Sequence, residues 1–369
     1  MKSVLFILAF SLILGTQAIR IYNVTAQRYS AKPIIANISG VGYKYNYNAA
    51  AYYYENNIEL LVRVQNLLNQ SDPYSVGPSY LSPSTITFSK TGAPSASHPI
   101  HLAHVNNNTT EVCGSEDPRV TYHNGLYYIF YTAYNCTNAM LSMSTATDPA
   151  DPETWIDYGY VFPEKNWSKS AAALFATKEN NLTQHYLFWG DSSYPQGGIG
   201  IATSNDGYHW NDTGNYLLRV RNNFFDSELV ESGPSPLRLS TGDYLFIYNS
   251  ARKGYPSVKP GWDLQYNLGF AILSGSNPLN VIQRSIVPLM SPVLDWEIGN
   301  NTNFLTPNVV FLEGLVRDPN GCPPNTDCFF GVYGGADSDV GAVRITVTWT
   351  GNVEDEEPVQ SEENEYITI

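Results

Sequence analysis

Arg119-Val-Thr-Tyr-His-Asn-Gly-Leu-Tyr-Tyr-Ile-Phe-Tyr-Thr132 places two strand-like runs on either side of Asn124-Gly125. That dipeptide tolerates the positive φ angles of a two-residue hairpin turn, so the stretch predicts a pair of antiparallel strands. Its second run recurs as Ile58-Glu-Leu-Leu-Val-Arg-Val64, His185-Tyr-Leu-Phe-Trp189, Asp243-Tyr-Leu-Phe-Ile-Tyr248 and Cys328-Phe-Phe-Gly-Val-Tyr333, five copies in all. Each copy has a companion rich in small residues: Ser84-Thr-Ile-Thr-Phe88, Met140-Leu-Ser-Met-Ser144, Ile199-Gly-Ile-Ala-Thr203, Leu268-Gly-Phe-Ala-Ile-Leu273 and Gly341-Ala-Val-Arg-Ile345. Asp148-Pro149 and Asn205-Asp206-Gly207 punctuate two of these units. With roughly 60 to 85 residues per unit and about four strands in each, the repeat predicts an all-β fold, a five-bladed β-propeller. A pair of β-sandwiches is the alternative architecture. No linker divides the chain, so one domain is expected over 19–350.

The flanks of that domain read differently. Residues 1–18 carry Lys2, an apolar run from Val4 to Leu14 and the small-residue exit Thr16-Gln17-Ala18, the pattern of a secretory signal peptide. No later stretch is long and apolar enough to suggest a membrane span, so a soluble protein in a secreted or lysosome-like compartment is expected. Asn23, Asn37, Asn69, Asn107, Asn108, Asn135, Asn166, Asn181, Asn211 and Asn300 each begin an Asn-x-Ser/Thr sequon, which fits a glycoprotein. The four cysteines fall in two local pairs, so Cys113–Cys136 and Cys322–Cys328 bridges are expected rather than a metal site. The formal charge is −14, of which seven charges lie in 351–369, at Glu354, Asp355, Glu356, Glu357, Glu362, Glu363 and Glu365. That segment reads as a solvated, disordered acidic tail. No Lys/Arg cluster suggests a nucleic-acid partner. The 13% aromatic content, with 27 tyrosines, suits both sheet packing and sugar faces.

In a propeller the start of the innermost strand and the end of the second lie at the same rim. The first position carries Asn48, Asp117, Lys169-Ser170, Glu231 and Glu313 in successive blades. The second carries Arg63, Tyr134, Asp191, the stretch Asn249 to Arg252, and Asp337. Ionisable groups converging on one axis would each be costly to hold without a partner or a purpose. Structural ion pairs closing the mouth are the alternative explanation. Several carboxyls facing one pocket suit glycoside chemistry, in which one protonates the leaving oxygen and another activates water. A Gly-x-Ser-x-Gly elbow, a phosphate-binding loop and a His-Glu-x-x-His pair are all missing from the sequence. His98, His101, His104, His123, His185 and His209 form no ligand pattern, and no metal or organic cofactor is implied.

Taken together, Asn48-Ala-Ala, Leu60-Leu-Val-Arg63-Val, Glu116-Asp-Pro-Arg119, Lys169 before Ala-Leu-Phe175, Gly233-Pro-Ser-Pro236, Leu268-Gly-Phe-Ala-Ile-Leu273 with Asn277-Pro278, Pro307-Asn308-Val-Val-Phe311 and Tyr333-Gly-Gly-Ala-Asp337 resemble family 130 of the glycoside hydrolases. The resemblance spans about residues 40 to 347. It implies a five-bladed propeller that acts on β-mannosides, as a phosphorylase or a hydrolase, with Asp117 as the general acid of an inverting mechanism. It also implies a set of basic residues for phosphate, from which this chain departs. Phe188-Trp189-Gly190-Asp191 stands where an Arg is expected, no Lys precedes Gly233-Pro234, and Asn249 replaces a His. Carboxylates in place of cations disfavour a dianion and offer a base for water.

The expectation is therefore a β-mannosidase-like hydrolase acting on an oligosaccharide, with Glu231 or Glu313 as base and Glu228 in reserve. Asn48, Arg63, Arg119, Tyr134, Lys169, Asp191 and Asp337 would hold substrate, and Trp189 would either stack on a sugar or sit in the core. The alternatives are a β-mannoside phosphorylase, a glycan-binding propeller without activity, and a furanosidase of another five-bladed family.

Overall fold

The computed structural model describes residues 20–36, 41–69, 75–104, 110–190, 197–300 and 304–350. The leader expected at 1–18, the tail expected at 351–369, Asp191, Asn37, Asn107 and Asn108 lie outside these residues. The first strand, β1 (Ile21–Arg28), belongs to the last blade. Blade one is β2 (Tyr45–Tyr54), β3 (Asn57–Gln65), β4 (Tyr80–Phe88) and β5 (Pro94–Ala96). Blade two is β6 (Gly114–His123), β7 (Leu126–Tyr134), β8 (Ala139–Ala146) and β9 (Ile156–Tyr160). Blade three is β10 (Ala171–Leu174), β11 (His185–Trp189), β12 (Gly198–Ser204) and β13 (Asn211–Arg219). Blade four is β14 (Leu229–Ser232), β15 (Leu237–Arg238), β16 (Tyr244–Arg252), β17 (Gln265–Leu273) and β18 (Val281–Arg284), with β15 as a short second partner of β16. Blade five is β19 (Val310–Arg317), β20 (Asp327–Gly335) and β21 (Asp339–Thr350), completed at its outer edge by β1.

The molecule is a five-bladed β-propeller. The five recurring runs are the second strands β3, β7, β11, β16 and β20, and their companions are the third strands. Asn124 and Gly125, with φ of 49° and 84°, make the expected turn between His123 and its partner Leu126. The closing strand is the part that the repeat did not predict. In it, Ile21 to Arg28 pair antiparallel with Thr350 to Val343, so the N-terminal strand locks the C-terminal one.

The core divides between neighbouring blades. Leu174, Phe188 and Ile199 of blade three meet Phe246 and Tyr248 of blade four, and Leu245 and Ile272 of blade four meet Leu312 and Phe329 of blade five. Ala49 and Val62 of blade one meet Phe330 and Val332 of blade five, and comparable layers join blades one to two and two to three. Each sheet is thus apolar on both faces, which is why its strands read as nearly continuous apolar runs. At the axis the inner strands crowd. A Cβ on Gly314 would fall 2.6 Å from the Ala51 nitrogen and 2.7 Å from the Ala49 oxygen, so only glycine lets β19 approach β2 there. The runs Ala49-Ala50-Ala51 and Ala171-Ala172-Ala173 answer the same crowding.

The disulfides form as expected, Cys113–Cys136 with Cα atoms 5.2 Å apart and Cys322–Cys328 at 5.6 Å. Among the described residues no helix is long and apolar enough to cross a membrane. Of the described sequon asparagines, Asn23, Asn69, Asn166, Asn181, Asn211 and Asn300 are exposed and Asn135 is half-buried.

Ring closure is pinned by one ion pair. Arg28 at the end of β1 donates to Glu297 from Nε at 2.6 Å and from Nη2 at 2.8 Å. Glu297 lies in the short helix α1 (Asp295–Ile298), is fully buried, and also accepts from the Tyr333 hydroxyl at 2.8 Å. Arg28→Ala strands that carboxylate, so the unfolding free energy in urea should fall by on the order of 3 kcal/mol. The double variant Arg28→Ala/Glu297→Gln should recover part of the loss. A single variant as stable as the wild type would remove this role.

Candidate active site

Three inner strands break register where they enter the ring: between Tyr47 and Ala50 in β2, between Glu116 and Arg119 in β6, and between Leu312 and Gly314 in β19. A bulge re-aims the side chains it carries. Asn48 and Asp117 occupy the first two with φ of 46° and 52°, in the left-handed region that Asn and Asp tolerate better than most residues. Ser170, just before β10, and Asp337, just after β20, share that conformation with φ of 51° each. Of the expected positions, Asn48, Arg63 and Asp117 are brought into contact at one end of the axis.

Asp117 is the hub. Its Oδ1 accepts from Arg63 Nη1 at 2.7 Å and from Asn48 Nδ2 at 2.9 Å. Arg63 also donates from Nη2 to Glu116 Oε1 at 2.7 Å and lies 4.8 Å over the Tyr47 ring. Burial pushes the Asp117 carboxyl up, but Arg63 and Arg119 and the bond from Asn48 outweigh it and hold the group below the usual carboxylate range. Glu116 moves the other way. Burial raises it, Arg63 opposes the rise, and the Asp117 charge adds to it. One guanidinium thus serves two carboxyls, and of the two Asp117 gives up its proton more readily.

Arg119, expected among the groups that hold substrate, is instead 1% exposed and crosses the axis. It donates to the Asp117 carbonyl from Nη1 at 2.8 Å and to the Ser232 carbonyl from Nη2 at 2.8 Å. Its charge also faces Glu313, with Nη2 3.1 Å from Oε1 but out of hydrogen-bond alignment. Both Glu313 oxygens are buried without a hydrogen-bond partner among the described residues. Burial pushes this carboxyl well above the usual range, Arg119 opposes the rise, and the charges of Asp117 and Glu231 add to it. A carboxyl pushed up in this way gives up its proton less readily, so the geometry favours Glu231 over Glu313 of the two bases considered.

Glu231, 2% exposed, accepts from the Ser170 hydroxyl and has Lys169 Nζ 3.8 Å from Oε1. Glu228 is drawn away, paired with the exposed Lys253 at 2.9 Å. Trp189 is 1% exposed and packs on Phe162, so it belongs to the core and offers no face to a sugar. Asn249 staples blade four to blade five, donating to the Leu312 carbonyl at 3.1 Å and accepting from the Leu312 nitrogen at 2.8 Å.

A cavity of about 430 Å³ opens beside this cluster, lined by Tyr47, Arg63, Gln65, Glu116, Tyr134, Lys259, Thr306 and Asp337 among others. Cys113 is also in its wall, so the Cys113–Cys136 bridge steadies the rim. Tyr47, Gln65, Lys259 and Thr306 were missed in the sequence. Gln65 lies two residues beyond Arg63 on the same face of β3 and was within reach of a strand-periodicity reading, whereas Tyr47 is the cross-strand partner of Arg63. Lys259 arrives on the loop between β16 and β17 and is fixed by donating to the Leu305 carbonyl at 3.1 Å, a contact with no local signature.

A family model described as beta-1,4-mannooligosaccharide phosphorylase matches residues 33–353. A 1,2-beta-oligomannan phosphorylase of Thermoanaerobacter sp. (strain X514) is 30% identical over 244 residues, 65% of this chain and 71% of that protein. A beta-1,2-mannobiose phosphorylase of the same strain is 28% identical over 330 residues, 86% of this chain and 96% of that protein. Among solved structures, one described by the words "The GH130 family of mannoside phosphorylases contains glycoside hydrolases that target beta-1,2 mannosidic linkages in Candida mannan" superposes with a TM-score of 0.67 at 23% identity, covering 90% of this chain and 95% of that one.

Burial pushes Asp337 up from an ordinary 3.8 to about 6, against a hydrogen bond from Thr306 and the attraction of Arg63. The folded state therefore holds this proton where the unfolded chain has released it. Its contribution to stability is complete below pH 3.8 and is lost as the pH rises to about 6. Across that window Asp337→Asn should gain in urea midpoint on the wild type as the pH rises. Parallel stability curves for the two proteins would refute the assignment.

Proposed function

Because the chain belongs to family 130 of the glycoside hydrolases, a family of β-mannoside-active carbohydrate enzymes, we propose that it cleaves β-1,2-linked manno-oligosaccharides with inversion, inorganic phosphate being the acceptor. The observation that carries the cleavage is the Asp117 carboxyl, set at the end of the axis by Arg63 and Asn48 beside the cavity. Asp117 would protonate the leaving oxygen, directly or through a sugar hydroxyl. Arg63 and Arg119 lower the Asp117 pKa and favour the ionised form. A phosphate dianion seated near Arg63 and Lys169 would offset those cations and raise the Asp117 pKa, so binding the acceptor would supply the protonated acid. The curated relatives named above are phosphorylases, which backs this acceptor over the water expected from the sequence.

Water is the second reading, and the pocket's charge favours it. Arg63 is engaged by Glu116 and Asp117, Lys169 by Glu231, and Lys259 by a backbone carbonyl, so phosphate must compete for each. Glu231 is then the base that activates water, its carboxylate oriented by Ser170 and Lys169. The words attached to the solved neighbour place both chemistries in the family. In either reading Arg63, Tyr134, Lys169 and Asp337 contact the sugar.

The deciding experiment supplies β-1,2-mannobiose with and without inorganic phosphate and identifies the product. Mannose 1-phosphate formed only with phosphate is the expected result, and free mannose in both conditions selects hydrolysis. Asp117→Asn should lower kcat/KM by a hundredfold or more, in line with the roughly 10²–10⁴ contributed by general acids. Unchanged turnover in that variant would sink the acid assignment.

A further inference from the structure

A second cavity lies on the outer wall of the ring, between blades two and three. Its volume is about 540 Å³, and it is lined by Tyr158, Tyr160, Tyr208 and Trp210 with Glu164 and His209. That size falls in the roughly 300–1,000 Å³ range of ligand sites. It shares no lining residue with the axial cavity. The two also face different ways. The axial cavity gathers the starts of β2 and β6, whereas Tyr208 to Trp210 lie in the turn that follows β12 at the opposite end of its blade.

From this groove we infer a carbohydrate-binding site separate from the catalytic one, which holds a β-linked oligosaccharide chain. The Tyr158 and Tyr208 rings meet at 5.0 Å between centroids and 40° between planes, forming a wedge with apolar faces and hydroxyl tips. A pyranose presents the matching chemistry, a C–H face with hydroxyls at its edge. Trp210, 8% exposed, adds an indole to the same wall.

The turn is built in advance. Asp206 Oδ1 accepts from the Tyr208 and His209 nitrogens at 2.8 Å each, and Oδ2 from His209 Nδ1 at 2.7 Å. A wall ordered before binding loses little entropy on binding. The nearby Lys165 is neutralised by Asp212 at 2.9 Å, which suits an uncharged ligand over an anion.

The choice of a mannoside chain as occupant rests on the proposed function, while the groove itself does not. Holding one part of a long chain here would raise the local concentration of its other parts at the axis, without effect on a disaccharide too short to reach.

Affinity electrophoresis of the full chain through gels containing soluble β-linked mannan or β-glucan tests this. Asp117→Asn should be retarded like the wild type, because the groove is intact in it. Tyr158→Ala/Tyr208→Ala should lose retardation about tenfold, with its thermal midpoint and its disaccharide turnover unchanged. Should that variant unfold, the exposed pair Glu164→Ala/His209→Ala serves instead, and weaker retardation is again expected. Retardation equal to wild type in a folded groove variant overturns the site, as does retardation lost only with Asp117→Asn. Retardation on β-glucan alone, lost with the tyrosines, would keep the groove and reject the mannoside reading.

Discussion

Arg119 is the interaction on which the site depends. The inner strands crowd together at the axis, and the Arg119 guanidinium is buried among them. It takes up the carbonyls of Asp117 in blade two and Ser232 in blade four and sets its charge against Glu313 in blade five. Without it, the bulge at Asp117 and the two carbonyls would be left to find water in a space that Ala49 to Ala51, Ala171 to Ala173 and Gly314 have closed. The same charge adds to that of Arg63 in lowering Asp117 and opposes the rise that burial imposes on Glu313, so it acts on groups on either side of it. A residue with no place in the cavity wall thus governs the chemistry in it.

The carboxyls of the site are consequently unequal although they share one end of the ring. Asp117 sits below the usual range, Glu116 and Asp337 above it, and Glu313 far above it. Burial acts on all four in the same sense, and what separates them is how well the neighbouring donors are placed. The Asp117 carboxyl takes aligned hydrogen bonds from the Arg63 guanidinium and the Asn48 amide. Glu313 has the Arg119 guanidinium nearby but out of alignment. Separation of this kind lets neighbouring carboxyls take opposite roles in a single turnover, one donating a proton while another accepts.

Much of this was legible in the sequence, because propeller geometry makes it local. Second strands, third strands, both disulfides and the turn at Asn124-Gly125 are contained within single units, and each leaves a short-range pattern. Asn48 and Asp117 were visible as polar residues interrupting apolar strands, the residue types that tolerate a left-handed bulge. What escaped was non-local. β1 pairs with a strand more than three hundred residues away, and nothing within Ile21 to Arg28 says so. The depth of Arg119, the isolation of Glu313 and the arrival of Lys259 from a loop are likewise products of assembly. Trp189 shows the same limit from the other side. An aromatic at the end of a second strand reads equally as platform or core, and Phe162 from the preceding blade decides for core.

The ring also separates the groups around Asp117 from those that would meet an acceptor. Asp117, Asn48 and Arg63 come from blades one and two, and each is tied to another of the three. The groups that would greet an acceptor come from other blades: Lys169 from the entry to blade three, Glu231 from blade four, and Lys259 from the loop that blade four sends toward blade five. The blades pack through separate apolar layers, so an exchange at one of these rim positions is felt chiefly by its own polar partners, Ser170 and Lys169 in the case of Glu231. A carboxylate exchanged for a cation there alters the field at the acceptor position and leaves the Asp117 hub in place. On the proposed function, whether phosphate or water attacks would then depend on a few rim charges on blades three and four, set apart from the Asp117 hub that blades one and two supply.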